Sequence, residues 1–406
     1  MASQRKREKG AGEAHNKIKA RPRETDDLLR KVSRRMSLKE GEEAVRRILR
    51  EVYRRGKVTT KDLAKATRLP IPVAAAIRRE LEREGIIARR GGAVLTEEGE
   101  EYVRGTLGIS EEEGLVCPTC SGKKIPISGD FAELLRKLRE YSALRPRPDP
   151  RLDQAYATPD TSLRRALYML EEGDLGGREV LFLGDDDLTS VAAGLLGAAR
   201  GITVVDVDER LLGVIGEVSK REGLGVECVH HDLRNPLPKG LTGRFDIVFT
   251  DPPYTVPGLR LFLSRGVEAL RERKTATVYL AFADKPPAEM LEVHRSITEM
   301  GLFVRELIPR FNAYEGAEMF ANTTFMARLA TTDGARPAVT GVFRGRMYTG
   351  EISPTVRVYR CRCGEKIDVG VGRAYGTVEE LKSRGCPRCG GTEGFRRLRR
   401  TRLGGS

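Results

Sequence analysis

The sequence predicts an α/β protein built around a doubly wound, mostly parallel sheet, with a small helical domain before it and a cysteine-bearing β segment after it. Three observations carry this. From about Gln154 to Thr332, short apolar runs alternate with amphipathic stretches at strand–helix spacing. Between residues 41 and 108, helical periodicity gives way to two short β runs separated by Gly91-Gly92. After residue 335, Cys361-Arg-Cys363 and Cys386-Pro-Arg-Cys389 stand 22 residues apart.

A chain of 406 residues calls for two or three domains, and 39% hydrophobic residues are enough for real cores. Wholesale disorder is excluded. No apolar run approaches the ~18 residues of a membrane span, and the basic N-terminus has no apolar stretch behind it. A soluble, cytoplasmic protein with no membrane partner is expected. The net charge of +14 is concentrated at the ends: residues 1–40 carry 13 basic and 6 acidic side chains, residues 384–406 carry 7 and 1. Such ends suit nucleic acid or simple solvation. The high charged fraction, 32%, and the absence of tryptophan suit a thermophile.

Residues 1–40 read as a basic flexible arm with a short helix near Asp26–Met36. In 41–108, Ala44, Val45, Ile48, Leu49 and Val52 recur at helical spacing. Thr59 or Thr60 caps a short helix, and a further helix runs from about Pro72 to Glu84 and stops at Gly85. A hairpin over 86–95 follows, then a helix capped by Thr96. This resembles a winged helix-turn-helix, an architecture that serves DNA binding, dimerisation or lid functions. Residues 109–150 read as a linker holding Cys117-Pro-Thr-Cys120 and the Pro-rich 145–150.

In 151–334 the expected strands are Glu179–Leu183, Gly201–Val205, Gly225–Val229, Phe245–Thr250, Ala276–Ala281, Leu302–Leu307 and Thr323–Arg328, with helices such as Leu188–Ala199 and Glu209–Glu222 between them. This is a Rossmann-like sheet covered on both faces. Its last two strands are joined by a connection (309–322) with no evident helix, so antiparallel pairing at one edge is expected. Ligands of such sheets bind at the carboxyl ends of the strands.

The chemistry-bearing residues fall at those ends. The first strand runs into Gly184-Asp185-Asp186-Asp187. A nucleotide-binding loop here is ordinarily Gly-rich and favours anions. Three carboxylates invert that preference and attract ammonium. Helix capping accounts for one of them, assigned to Asp187. The second strand ends at Asp206-Val-Asp208: Asp206 suits ribose hydroxyls, Asp208 a helix cap. Asp232, after the third strand, suits an adenine amino group or a solvated turn, and the adjacent His230-His231 lack a third metal ligand nearby. The fourth strand ends Asp251-Pro252-Pro253-Tyr254. Two prolines stiffen the loop and leave a free carbonyl. That carbonyl and Asp251 can accept hydrogen bonds from an amine, with Tyr254 packed against it.

Six of seven cysteines sit in close pairs, which in an intracellular chain favours metal over disulfide. Cys361, Cys363, Cys386 and Cys389 have near zinc-ribbon spacing and predict a structural zinc in the segment 335–406, which ends in the basic tail. Cys117 and Cys120 either meet a second subunit's pair around a metal or have no such role; Cys228 reads as a core residue.

The strand order resembles the class I S-adenosylmethionine-dependent fold, and Asp-Pro-Pro-Tyr resembles the amine-binding motif of amino-methyltransferases. Together with the winged helix and Gly-Asp-Asp-Asp-Leu-Thr-Ser at 184–190, it resembles the branched-chain polyamine synthases, over roughly residues 41–330. The resemblance implies decarboxylated S-adenosylmethionine as aminopropyl donor and the secondary amine of spermidine as acceptor, with two successive transfers and 5′-methylthioadenosine released each time. A homodimer is expected. The Asp triplet agrees, since it repels the carboxylate of S-adenosylmethionine, whereas the decarboxylated donor has only a cationic propylamine. In this reading Asp186 and Asp251 flank the nucleophile and Asp185 binds an ammonium. Two other functions compete: an amino-methyltransferase acting on RNA or DNA, which the Asp triplet disfavours, and a winged-helix ligand-sensing regulator, which has no need of an amine site.

Overall fold

The computed structural model describes residues 27–109, 117, 119–127, 129–271, 275–315, 323–352, 355–370, 373–376 and 378–402. Of the basic arm expected over residues 1–40, the first 26 lie outside the described residues, as do the last four residues of the basic tail; the rest of the arm holds the expected short helix, Asp27–Arg35. The chain divides into two units, Met1–Leu115 and Val116–Ser406.

The first unit contains helices α1 (Asp27–Arg35), α2 (Glu42–Arg55), α3 (Thr60–Thr67) and α4 (Ile71–Arg83), a hairpin of β1 (Ile87–Arg89) and β2 (Ala93–Leu95), and α5 (Glu97–Glu101). Ala44, Val45, Ile48, Leu49, Leu63, Ile77 and Leu81 form its core. Thr59 and Thr96 are the caps, accepting from the Asp62 and Gly99 amides. The hairpin turns at Gly91, where φ is +70°.

The second unit begins with α6 (Ala132–Ser142), inside the segment expected to be a linker, and α7 (Pro159–Glu171). Alternation follows: β3 (Glu179–Leu183), α8 (Thr189–Leu195), β4 (Gly201–Asp206), α9 (Glu209–Glu222), β5 (Val226–His230), β6 (Ile247–Thr250), α10 (Val256–Ala269), β7 (Thr277–Phe282), α11 (Pro287–Glu299), β8 (Leu302–Ala313) and β9 (Thr323–Thr331). The sheet order is β5-β4-β3-β6-β7-β9-β8. The first five are parallel, and β9 pairs antiparallel with both β7 and β8. Successive side chains alternate between faces. Val180 and Phe182 join one core cluster, and Leu181 and Leu183 the other. Strand order reverses between β3 and β6, which places the ligand crevice at their carboxyl ends.

Two further elements differ from expectation. Helix α8 ends at Leu195 rather than Ala199, because Gly197 turns left-handed (φ +65°) just beyond it. Strand β8 continues to Ala313, through the residues expected to be a connection, with a register shift between Ile308 and Asn312 around Arg310 (φ +58°). A bulge bends a strand and re-aims the residues beyond it.

A short helix α12 (Thr349–Ile352) leads to the C-terminal module: β10 (Thr355–Arg360), β11 (Lys366–Gly370), α13 (Val378–Arg384) and β12 (Arg396–Arg402). Its antiparallel sheet has the order β11-β10-β12. No helix among the described residues is long and apolar enough to cross a membrane.

Candidate active site

At the end of β3 the chain turns at Gly184 (φ +72°), and Leu188 adopts a left-handed conformation (φ +57°) before α8. This folds the three aspartates in different directions. Asp185 turns back under α8 and accepts from the amides of Thr189 (2.8 Å) and Ser190 (3.0 Å) and from the Ser190 hydroxyl. The capping bonds expected of Asp187 are thus made by Asp185, whose two oxygens accept three hydrogen bonds. Asp187 accepts from the Ala157 amide and from the Arg165 guanidinium, 2.5 Å away.

Arg165 lies on α7 and is fully buried. Its fork donates to Asp187 and, 2.6 Å away, to Asp251 at the end of β6. Its remaining contacts are the Asn312 amide oxygen (2.8 Å) and the Tyr314 hydroxyl (2.8 Å). Asp251 also accepts from the hydroxyls of Tyr254 (2.9 Å) and Tyr314 (2.7 Å). The rigid 251–254 loop is held from behind by Lys285, which donates to the Tyr254 carbonyl at 2.5 Å. Thr255 caps α10 through the Gly258 amide, and a Cβ at Gly258 would lie 2.9 Å from the Pro253 carbonyl.

Asp206 accepts from the amides of Asp185 (3.0 Å) and Asp208 (2.8 Å), which ties the ends of β3 and β4 together. Asp208 caps α9 and is bonded by Arg210 and by Gln154 (2.9 Å). Asp232 accepts from the Arg234 amide (2.9 Å) in a half-buried turn.

Asp186 is different. Among the described residues no hydrogen bond or ion pair reaches its carboxylate; only its backbone carbonyl is engaged, by Arg145 at 3.3 Å. Burial first, then the charges of Asp187, Asp251, Asp206 and Asp185, push its carboxyl well above the ordinary range. Burial raises Asp185 to about 7. Burial also raises Asp251, against the pull of Arg165, to about 6. Asp206 is raised by burial, whereas at Asp208 the bonds from Arg210 and Gln154 outweigh burial and lower it. Asp187 and Asp251 flank the buried Arg165 guanidinium, and the charges of Asp187, Asp251, Asp206 and Asp185 all act on Asp186.

The sequence reading missed Arg165, Asn312, Tyr314, Arg145, Gln154 and Lys285. Arg165 carried a signal: it shares the face of Ser162 and Met169 on a helix whose other members there are core. Asn312 and Tyr314 lie beyond the β8 bulge, where an expected loop concealed them.

In the C-terminal module the Sγ atoms of Cys361, Cys363, Cys386 and Cys389 lie within 4.8 Å of one another. The pairs Cys361–Cys389 and Cys363–Cys386 are separated by 3.6 and 3.7 Å. Four thiolates ~2.3 Å from one tetrahedral ion have edges of about 3.8 Å, so this donor set fits zinc. Cys117 and Cys120 lie at a separate turn.

A mostly parallel sheet with carboxylates at the ends of β3, β4 and β6 and a rigid Asp-Pro-Pro-Tyr loop defines a methyltransferase-like transferase fold. The chain belongs to the branched-chain polyamine synthase family: residues 133–357 match the branched-chain polyamine synthase A C-terminal domain, and residues 42–88 match a winged helix-turn-helix DNA-binding family. It is 44% identical over 93% of its length, and 94% of the relative's, to an uncharacterized protein of Methanocaldococcus jannaschii, MJ0675. It is 35% identical to the N(4)-bis(aminopropyl)spermidine synthase of the same organism, over 63% of this chain and 75% of that one. The structure of the Thermus thermophilus branched-chain polyamine synthase in complex with N4-aminopropylspermidine and 5′-methylthioadenosine superposes with a TM-score of 0.65 at 27% identity, covering 82% of this chain and 99% of that one.

Proposed function

We propose that this protein transfers aminopropyl groups from decarboxylated S-adenosylmethionine to the secondary amine of spermidine or a close analogue, making branched polyamines and 5′-methylthioadenosine. The observation that carries this reading is Asp186, a carboxylate with no partner among the described residues, inside a cluster whose other members are all engaged. The names of the polyamine synthase relatives support the same reaction.

Both substrates are cations, and the crevice concentrates negative charge where they meet. Asp186 accepts the proton of the attacking secondary amine. The nitrogen lone pair forms a bond to the carbon next to sulfur as the carbon–sulfur bond breaks, and the thioether leaves neutral without an acid. Asp251 cannot serve equally: Arg165, Tyr314 and Tyr254 occupy its oxygens. Its role is to fix the loop whose prolyl carbonyl orients the amine. Asp206 holds the donor's ribose, and Asp232 reads its adenine amino group.

Zinc held by Cys361, Cys363, Cys386 and Cys389 staples the C-terminal module and takes no part in transfer. A homodimer through the edge strand β8 is supported by its exposed Phe303 (43%) and Leu307 (44%).

The deciding experiment incubates the protein with spermidine and either S-adenosylmethionine or its decarboxylated form. Mass gains of one and two aminopropyl groups, with the decarboxylated donor alone, are expected. No transfer to spermidine from either donor would overturn the proposal.

A further inference from the structure

The crevice gathers acid; the C-terminal sheet gathers base. Lys366 on β11 stands directly opposite Arg360 on β10, and Arg360 directly opposite Arg396 on β12. Register partners share a face, so the three cations form one row spanning about 10 Å at ~4.8 Å per strand. All three are exposed, as are Arg397 and Arg399 on the same strand as Arg396. Arg357 and Arg400 are register partners as well.

Like charges directly opposite one another destabilise a sheet. Elsewhere in this protein exposed arginines are commonly paired: Arg136 with Glu133 and Glu140, Arg151 with Asp149, and, within the module itself, Arg384 with Glu380 at 3.0 Å. Among the described residues no ion pair reaches Lys366, Arg360, Arg396, Arg397 or Arg399. The row is also firmly placed, because Cys361 follows Arg360 directly and Cys363 lies in the turn to Lys366.

A row of uncompensated cations, held in register at a cost to stability, fits a ligand that supplies regularly spaced negative charge. A single small anion cannot neutralise charges spread over ~10 Å. A single strand of nucleic acid ordinarily needs aromatic platforms for its bases. Here Tyr359 and Tyr375 are buried and Phe395 is half-buried. We propose that this face of the C-terminal sheet binds the phosphate backbone of duplex DNA, without reading sequence.

The test measures binding of the full chain to a labelled mixed-sequence duplex as a function of salt, for the protein and for the variant Arg360→Gln/Lys366→Gln/Arg396→Gln. Binding should weaken at least about tenfold in the variant, and the log–log salt slope should become shallower by about 2–3, near one for each phosphate no longer neutralised. Thermal stability should hold or rise, since a repulsive row is removed. The single variant Lys366→Gln should lower the slope by about 1. Equal affinity and slope in protein and triple variant would overturn the proposal. So would tighter binding to single-stranded RNA or to phosphatidylserine vesicles than to the duplex, or a lowered melting temperature in both variants.

Discussion

The guanidinium of Arg165 bridges Asp187 and Asp251, 2.5 and 2.6 Å away, and so joins the loop after β3 to the loop after β6 across the switch point of the sheet. Both of these carboxylates are thereby compensated. Asp186, between Asp185 and Asp187 in sequence, has no such compensation among the described residues, which is why the proposed mechanism gives it the proton. The division of labour among the aspartates is set by one arginine on a helix that precedes the sheet.

Asp186→Asn should therefore separate catalysis from stability. Loss of a positioned base lowers turnover by about 10²–10⁴-fold. The carboxylate makes no bond to any described residue, so the melting temperature should hold or rise. Product mass and thermal melting check the two halves; undiminished turnover would remove Asp186 from the mechanism.

Arg165→Met should do the reverse. Removing one partner from buried ion pairs destabilises by about 3–5 kcal/mol, because Asp187 and Asp251 are left without compensation. Protonation relieves an uncompensated carboxylate, so the deficit should be smaller at pH 5 than at pH 8. Denaturant titration at the two pH values measures this. An equal deficit at both would mean that Arg165 acts through packing alone.

The strands and the strand-end aspartates were legible because period, spacing and acid at a carboxyl end are local signals. β3 and α9 fall where the pattern puts them. The partition of roles was not legible. Whether Asp185 or Asp187 caps α8 depends on the left-handed turn at Leu188, which nothing in a leucine announces. Arg165, Asn312 and Tyr314 come from α7 and the far side of the β8 bulge, and meet only through tertiary packing. Pro309, the first residue of the expected connection, lies within β8, since proline is tolerated at a bulged edge strand.

The pH dependence follows from the raised carboxyls. Asp186 and Asp185 bind protons more tightly folded than unfolded, where the ordinary value is 3.8. Between about pH 4 and 7 the folded state then holds more protons, and these groups make stability fall as pH rises through that window. An arriving polyamine favours the ionised form and expels the proton. Calorimetry near pH 6.5 in buffers of different ionisation enthalpy should show net proton release on polyamine binding, and less in Asp186→Asn. Net uptake, or identical release in the variant, would contradict the placement of the amine beside Asp186.

Metal removal should act on the C-terminal module and spare the reaction. The module's core consists of Tyr359, Cys361, Ile367, Val369, Tyr375, Leu381 and Cys386. So small a core does not hold a fold by itself, and the binding free energy of a structural ion becomes folding free energy. The purified protein should contain one zinc per chain by elemental analysis, and Cys389→Ser should lose it. The variant should show a separate, lower melting transition for the module. Transfer to spermidine should stay within about threefold of the unaltered protein, because none of the crevice carboxylates draws a partner from the described residues of 355–402. A variant that keeps its zinc, or one that loses turnover while the crevice unit melts normally, would show that the four cysteines do something other than staple this module.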